Sequence, residues 1–285
     1  MVPLIAAIIA IIIVILVALI IAFSAIIGQK LMLFSEKTIK ANLSSPALRL
    51  ATYAAAGFVW VLAKAHFPGV EASVTYCSDN RIGRVLRAAY WKSRVREFGK
   101  DVIIDIGAKA IGWENVSIGD NSWIDRNVIL ETGQIDKSKF SVFVKKTSSE
   151  VEEGRLKIGK CCHISKNVVI QSLGGVFIGD YSGIASGSKI YSLSHHYRNL
   201  LHEDAAIYSF TPQAPPENQS LILGSVVLEG NNALGLNSVI LPGVTVGKNT
   251  WIGVCSYVVN DVPPDCVASG CPAKVTKILR GVQRV

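Results

Sequence analysis

Five histidines and six cysteines are the side chains of this 285-residue chain best suited to proton transfer, nucleophilic attack or metal binding near neutral pH. His195, His196 and His202 fall within one short stretch that also holds Tyr197, whereas His66 and His163 stand apart. An imidazole serves as a general base without large perturbation, so the clustered histidines are candidates for drawing a proton from a weak nucleophile such as a hydroxyl. His163 reads as a hydrogen-bonded structural residue inside a repeat. A second use of His163, His195, His196 and His202 would be to bind zinc. The cysteines form no C-x-x-C pair and no disulfide-dense pattern, and they read as reduced and mostly buried. Cys161 and Cys162 are adjacent, which forbids an ordinary disulfide and predicts one side chain inward and one outward on a strand.

The elements that must position these groups follow a short period. From Val102 onward, branched aliphatic residues recur every six positions: Ile118, Ile124 and Leu130; Ile158, Ile164 and Ile170; Ile178, Ile184 and Ile190; then Leu228, Leu234, Ile240, Val246, Ile252 and Val258. Small residues recur four after them, as at Ser122, Ser182, Ser188, Ser238, Thr250 and Ser256. The pattern predicts short strands, each with one large inward side chain, joined by corners that admit small residues, three to a triangular coil. Such a solenoid buries each coil against the next, and long insertions must leave from its corners. Two insertions break the period: residues 131–157, polar and charged around Phe140 to Val144, and residues 191–227, rich in histidine and proline. Long insertions in a compact domain are more often functional than incidental.

The first hundred residues are of another kind. Leu4 to Phe23 are twenty consecutive apolar residues, enough helix to cross a hydrocarbon layer of about 30 Å, and residues 1–27 read as a transmembrane anchor. A secretory signal peptide would want a positive start and a shorter apolar run. Residues 28–101 read as a basic, membrane-proximal helical region. Twelve of the 29 lysines and arginines lie in residues 28–100, against Glu36, Glu71, Asp79 and Glu97, so the whole net charge of +8 sits there. The remainder balances, which removes the case for a nucleic-acid-binding body. Positive flanks favour the cytoplasmic side of the inner membrane, with Arg81, Arg84, Arg87, Lys92, Arg94 and Arg96 facing anionic lipid. Leu50–Ala63 is a shorter apolar run, read as an interface-lying or re-entrant helix, with a second crossing over Ala47–Ala63 as the alternative. Ile82, Val85, Leu86 and Ala89 recur at helical spacing among arginines, the pattern of an amphipathic helix on a membrane surface or of a helix capping the next domain.

The repeat, together with Gly235–Gly253 (GLNSVILPGVTVGKNTWIG), Asn260–Pro264 (NDVPP) and Gly270–Lys274 (GCPAK), resembles the hexapeptide-repeat acyltransferases, among them sugar O-acetyltransferases such as galactoside and maltose acetyltransferase. The resemblance implies a mainly β chain: a left-handed parallel β-helix over residues 102–262, a C-terminal cap over 263–285, and a homotrimer with acetyl-CoA in a groove between neighbouring β-helices. It implies acetyl transfer to a sugar hydroxyl, directly, without an acyl-enzyme and with no metal; the membrane anchor, not the resemblance, points to a surface glycan or lipid-linked precursor as the acceptor. In the family the catalytic histidine follows the last aliphatic residue before the loop by five positions, which here, counted from Ile190, is His195, with His196 the alternative. Leu236 and Val254, one coil apart, Val259, Asn260, Lys274 and Lys277 match coenzyme positions. Val259 and Asn260 depart from the usual Thr-Lys, which removes one expected cation. Asn167 and Tyr197 are the expected acceptor contacts, and Ala206–Thr211 resembles a loop that follows the histidine in galactoside acetyltransferase. An amino-sugar N-acetyltransferase would use the same base and groove, and a non-catalytic β-helix scaffold is the reading from another class.

Overall fold

A computed structural model describes residues 13–17, 19, 45–197 and 211–279. The chain is mainly β, and it divides into two compact units, Met1–Ser93 and Arg94–Val285. Most of Leu4–Phe23 lies outside the described residues, as do His202, residues 206–210 of the resembling loop, and the chain beyond residue 279. Among the described residues, which include the helix Pro46–Lys64, no helix is long and apolar enough to cross a membrane.

The first unit holds that helix and the helices Val70–Thr75 and Arg81–Arg94. Asn80 accepts the Gly83 N–H at 3.0 Å and so starts the last of them. Its buried side is Gly83, Arg87, Tyr90 and Trp91. Arg87, expected to face lipid, is instead only 1% exposed, and its Nη1 donates to the carbonyls of Cys77 at 3.0 Å and Ser78 at 3.3 Å. A guanidinium that satisfies the ends of a turn is more stable buried than its residue type suggests, because carbonyls replace its water. The Tyr90 hydroxyl donates to Glu71 at 3.0 Å on the same side. Ile82, Val85, Leu86 and Ala89, the expected apolar stripe, are left half-buried away from that side.

The second unit is a three-faced parallel solenoid, beginning at Glu97–Phe98. Its first face stacks Glu97–Phe98, Val116–Ile118, Leu156–Ile158, Val176–Ile178, Val226–Leu228 and Thr245–Val246. The second face runs from Ile103–Ile104 to Trp251–Ile252 and ends in the hairpin Cys266–Gly270 and Ala273–Ile278. The third runs from Lys109–Ile111 to Tyr257–Val258. All pairings within the coils are parallel, and the three sheets fit a left-handed β-helix. The predicted aliphatic residues form the inner ladders. Leu130, for one, stacks between Ala110 and Ile170, and all three are buried. Each isoleucine or leucine so buried contributes about 1.5–3 kcal/mol of transfer free energy. The small residues two positions before them are buried as well, and their hydroxyls bond to carbonyls of the stack: Ser122 to Gly159 and Ser188 to Gly235, both at 2.8 Å.

Left-handed backbone recurs at the corners of the coils. Between the second and third faces stand Gly107, Asn127, Asn167, Gly187, Asn237 and Cys255, with φ from 54° to 77°. Asparagine and glycine tolerate this region best. A Cβ on Gly187 would stand 2.1 Å from Asn237 Oδ1 of the next coil. Gly187→Ala therefore combines a strained φ with a clash, and we expect a loss of about 1–3 kcal/mol, read as a lowered Tm. A Tm within about 1 °C of wild type would show that the corner yields freely. Cys161 occupies the corner between the first and second faces, at φ 54°, so it is exposed there rather than on a strand. Cys162 is buried, and burial pushes its thiol up to about 11, which leaves it unreactive near neutral pH.

Candidate functional site

Neither insertion is structureless: their strands meet. Leu193–His196, Ser220–Gly224 and Ser141–Lys146 form a three-stranded side sheet, the first pair antiparallel and the second parallel. Ser192 fixes the point where the second insertion leaves the solenoid, since its buried Oγ donates to the Gln171 carbonyl and accepts the Gly174 N–H, both at 2.8 Å. Leu193, Leu221 and Leu223 then bury one face of the side sheet, packed against Ile135, Phe140, Val142 and Leu173.

His195 lies opposite Leu221, two positions along from Leu193, on an edge strand and exposed. By strand alternation it shares the leucine face, at its open end. His196, opposite Ser220, points to the other face, and its ring meets that of Tyr197 at 4.5 Å. The arrangement offers an accessible imidazole on a strand held by hydrogen bonds and apolar packing, which is what a positioned base needs.

The other candidates fall in separate places. Leu236 and Val254 stack at one corner, where the Cys255 N–H donates to the Leu236 carbonyl at 2.8 Å, and they are 48% and 60% exposed. Asn167 stands exposed at the same corner in an earlier coil, at φ 58°, a position that backbone conformation alone accounts for. Val259 and Asn260 lie past the last third-face strand, Tyr257–Val258, at a different corner. Lys274 and Lys277 are exposed on the terminal hairpin, opposite Ser269 and Val267. Lys146 Nζ binds Asp261 Oδ2 at 2.8 Å and Thr245 Oγ1 at 2.7 Å. Partial burial acts to raise the Asp261 carboxyl, but the bonds from Lys146 and the Thr245 N–H and the charges of Lys146 and Lys145 hold it below the usual carboxylate value.

Sequence reasoning missed one cluster on the outer second face. The His163 ring stacks on Trp123 with centroids 4.6 Å apart, and Nε2 lies 3.6 Å from the buried carboxylate of Asp125, beyond hydrogen-bond reach. Stacking, not the expected hydrogen bond, holds His163 in place. The Trp123 indole N–H donates to Asp105 at 2.8 Å. The signal was present in the spacing: Trp123 and His163 each precede an inner aliphatic residue, and such residues point outward together.

A parallel β-helix whose insertions raise a histidine-bearing side sheet is the class of scaffold that fold and site define. Its homologues are hexapeptide-repeat acyltransferases, enzymes of acyl transfer. The dTDP-4-amino-4,6-dideoxy-D-glucose acyltransferase of Escherichia coli is 28% identical over 179 residues, covering 63% of this chain and 80% of the relative. Galactoside O-acetyltransferase of Escherichia coli strain K12 is 27% identical over 162 residues, covering 56% of this chain and 63% of the relative. Among solved structures, AntD, an N-acyltransferase from Bacillus cereus in complex with dTDP and 3-hydroxybutyryl-CoA, aligns with a TM-score of 0.52 at 22% identity, over 66% of this chain and 86% of that one, and so supports the fold. No protein-family model matches the chain.

Proposed function

We propose that the chain is an acetyl-CoA-dependent O-acetyltransferase acting on a sugar hydroxyl of a surface glycan or a lipid-linked glycan precursor, with His195 as general base. The observation that carries this reading is the exposed His195 on a braced strand beside a β-helix whose relatives transfer acyl groups to sugars. In the reaction the imidazole takes the hydroxyl proton as the oxygen attacks the thioester carbonyl. The carbon–sulfur bond then breaks, and the proton passes to the departing thiolate. No acyl-enzyme is needed. Backbone N–H groups near the attacked carbonyl would stabilise the oxyanion.

Leu236 and Val254 stand at one corner, Val259 and Asn260 at another, and Lys274 and Lys277 on the terminal hairpin. A homotrimer, with a coenzyme groove between neighbouring β-helices, would bring such separate edges together. An anchor over Leu4–Phe23 would hold the enzyme at the inner membrane with its body on the cytoplasmic side. The basic excess of residues 28–100 and the half-exposed Ile82, Val85 and Ala89 stripe support a lipid-facing helix.

One observation favours a second reading. The E. coli relative that matches over 80% of its length acts, by its name, on a sugar amine carried by dTDP, so an amino-sugar N-acetyltransferase is the alternative. Mass spectrometry of surface glycans from cells with and without the chain separates the two. The O-acetyl reading expects the loss of one acetyl group that mild alkali also removes. An alkali-stable acetyl moves the assignment to nitrogen, and no acetyl difference rejects both.

A further inference from the structure

Lys145 and Lys146 follow one another on the strand Ser141–Lys146 of the first insertion. In a regular strand, consecutive side chains point to opposite faces. Here Leu223 pairs with Val144 and Gly224 with Lys146, so Lys145 is the extra residue of a β-bulge. A bulge bends its strand and re-aims a side chain. As a result both ammonium groups reach the same turn of the last coil. Lys146 Nζ is bound to Asp261 and Thr245, while Lys145 Nζ donates to the Val259 carbonyl at 2.9 Å. The stem of Lys145 lies over Gly243, whose missing side chain makes room for it.

The two lysines therefore have different duties. Lys146 is a strut, neutralised by Asp261. Lys145 is exposed, and among the described residues no carboxylate forms an ion pair with it within 4.0 Å, although its charge acts on Asp261 from farther off. An ammonium has three donors, and the Val259 carbonyl takes one. The turn it reaches is Val259–Asn260, a candidate coenzyme position that holds no cation of its own.

We infer that Lys145 binds a phosphate of the acyl-CoA donor, delivering from the first insertion the positive charge that the turn Val259–Asn260 lacks. This rests on the acyl-CoA reading above. Coenzyme A carries its phosphates at the end far from the thioester, so a cation there acts on binding and leaves the chemical step alone.

The test is calorimetric titration of the full chain with coenzyme A and, separately, with pantetheine, which lacks the phosphates. Lys145→Gln is expected to weaken coenzyme A binding about tenfold, Lys145→Arg to recover most of it, and neither to change pantetheine binding. Because Lys145 is exposed, both variants should melt with the wild type. If Lys145→Gln binds coenzyme A as tightly as wild type, the lysine assignment fails and the acyl-CoA reading stands. Equal weakening for pantetheine also overturns a phosphate contact. If the wild-type chain binds no coenzyme A, the acyl-CoA reading falls and takes this inference with it.

Discussion

His195→Ala is expected to lower turnover by roughly two to four orders of magnitude, the range for removing a general base. Thiol release from acetyl-CoA, with the glycan fraction of the same cells as acceptor, measures it. The loss should fall on kcat, with little change in the KM for acetyl-CoA, because the imidazole acts on the acceptor's proton and holds no part of the donor. The fold should not suffer. His195 is exposed on an edge strand, and the apolar packing of the side sheet comes from Leu193, Leu221 and Leu223. His196→Ala should cost less, since that ring points to the other face and packs on Tyr197. The opposite order, with His196→Ala inactive and His195→Ala near normal, would transfer the role to His196.

The second large effect is expected at Leu221→Ala. This side chain is 3% exposed, lies directly across the strand pair from His195, and belongs to a small core separate from the inner ladders of the coils. Truncating a buried leucine costs about 2–5 kcal/mol, and here the loss should concentrate in the side sheet. Since each 1.4 kcal/mol is tenfold, amides of the strands Leu193–His196 and Ser141–Lys146 should exchange at least about thirtyfold faster. Those of Ile170 and Ile190 inside the coils should keep their wild-type protection. Turnover should fall with the loosened strand although no catalytic group has been touched. Uniform acceleration across both sets of amides would mean that side sheet and solenoid unfold as one, contrary to this division.

The inner ladders were legible because a hexapeptide period leaves one large aliphatic side chain per strand, and only the solenoid satisfies that spacing. The period fails between Ile170 and Ile178 for a physical reason. Early coils are twenty residues long, as Ile158 stacks on Ile178, whereas Leu228 stacks on Val246 eighteen residues on. The extra length sits at the corner from the third face to the first, where Gly112 and Gly175 turn the chain. Corners filled by asparagine could be anticipated; those at Cys161, Tyr181 and Cys255 could not, since these residue types carry no turn signal. Arg87 misled because arginine is ordinarily a surface residue, and only the turn at Cys77 and Ser78 explains its burial. Of the candidate site, the loop histidines were visible as residues. The strand that presents them was not, because parallel pairing between Ser141–Lys146 and Ser220–Gly224 leaves no trace in either segment alone.

That pairing has a kinetic side. Coils join only their neighbours in sequence, so the solenoid can propagate turn by turn as the chain emerges from synthesis. Ser141 must instead wait for Ser220, and two complete coils, with strands from Leu156 to Tyr191, are made in between. Contacts of such long sequence separation form late, after the entropy of closing the intervening loop has been met. The nascent polypeptide thus stacks its early coils before the histidine platform can close, and competence for chemistry should trail the appearance of folded structure.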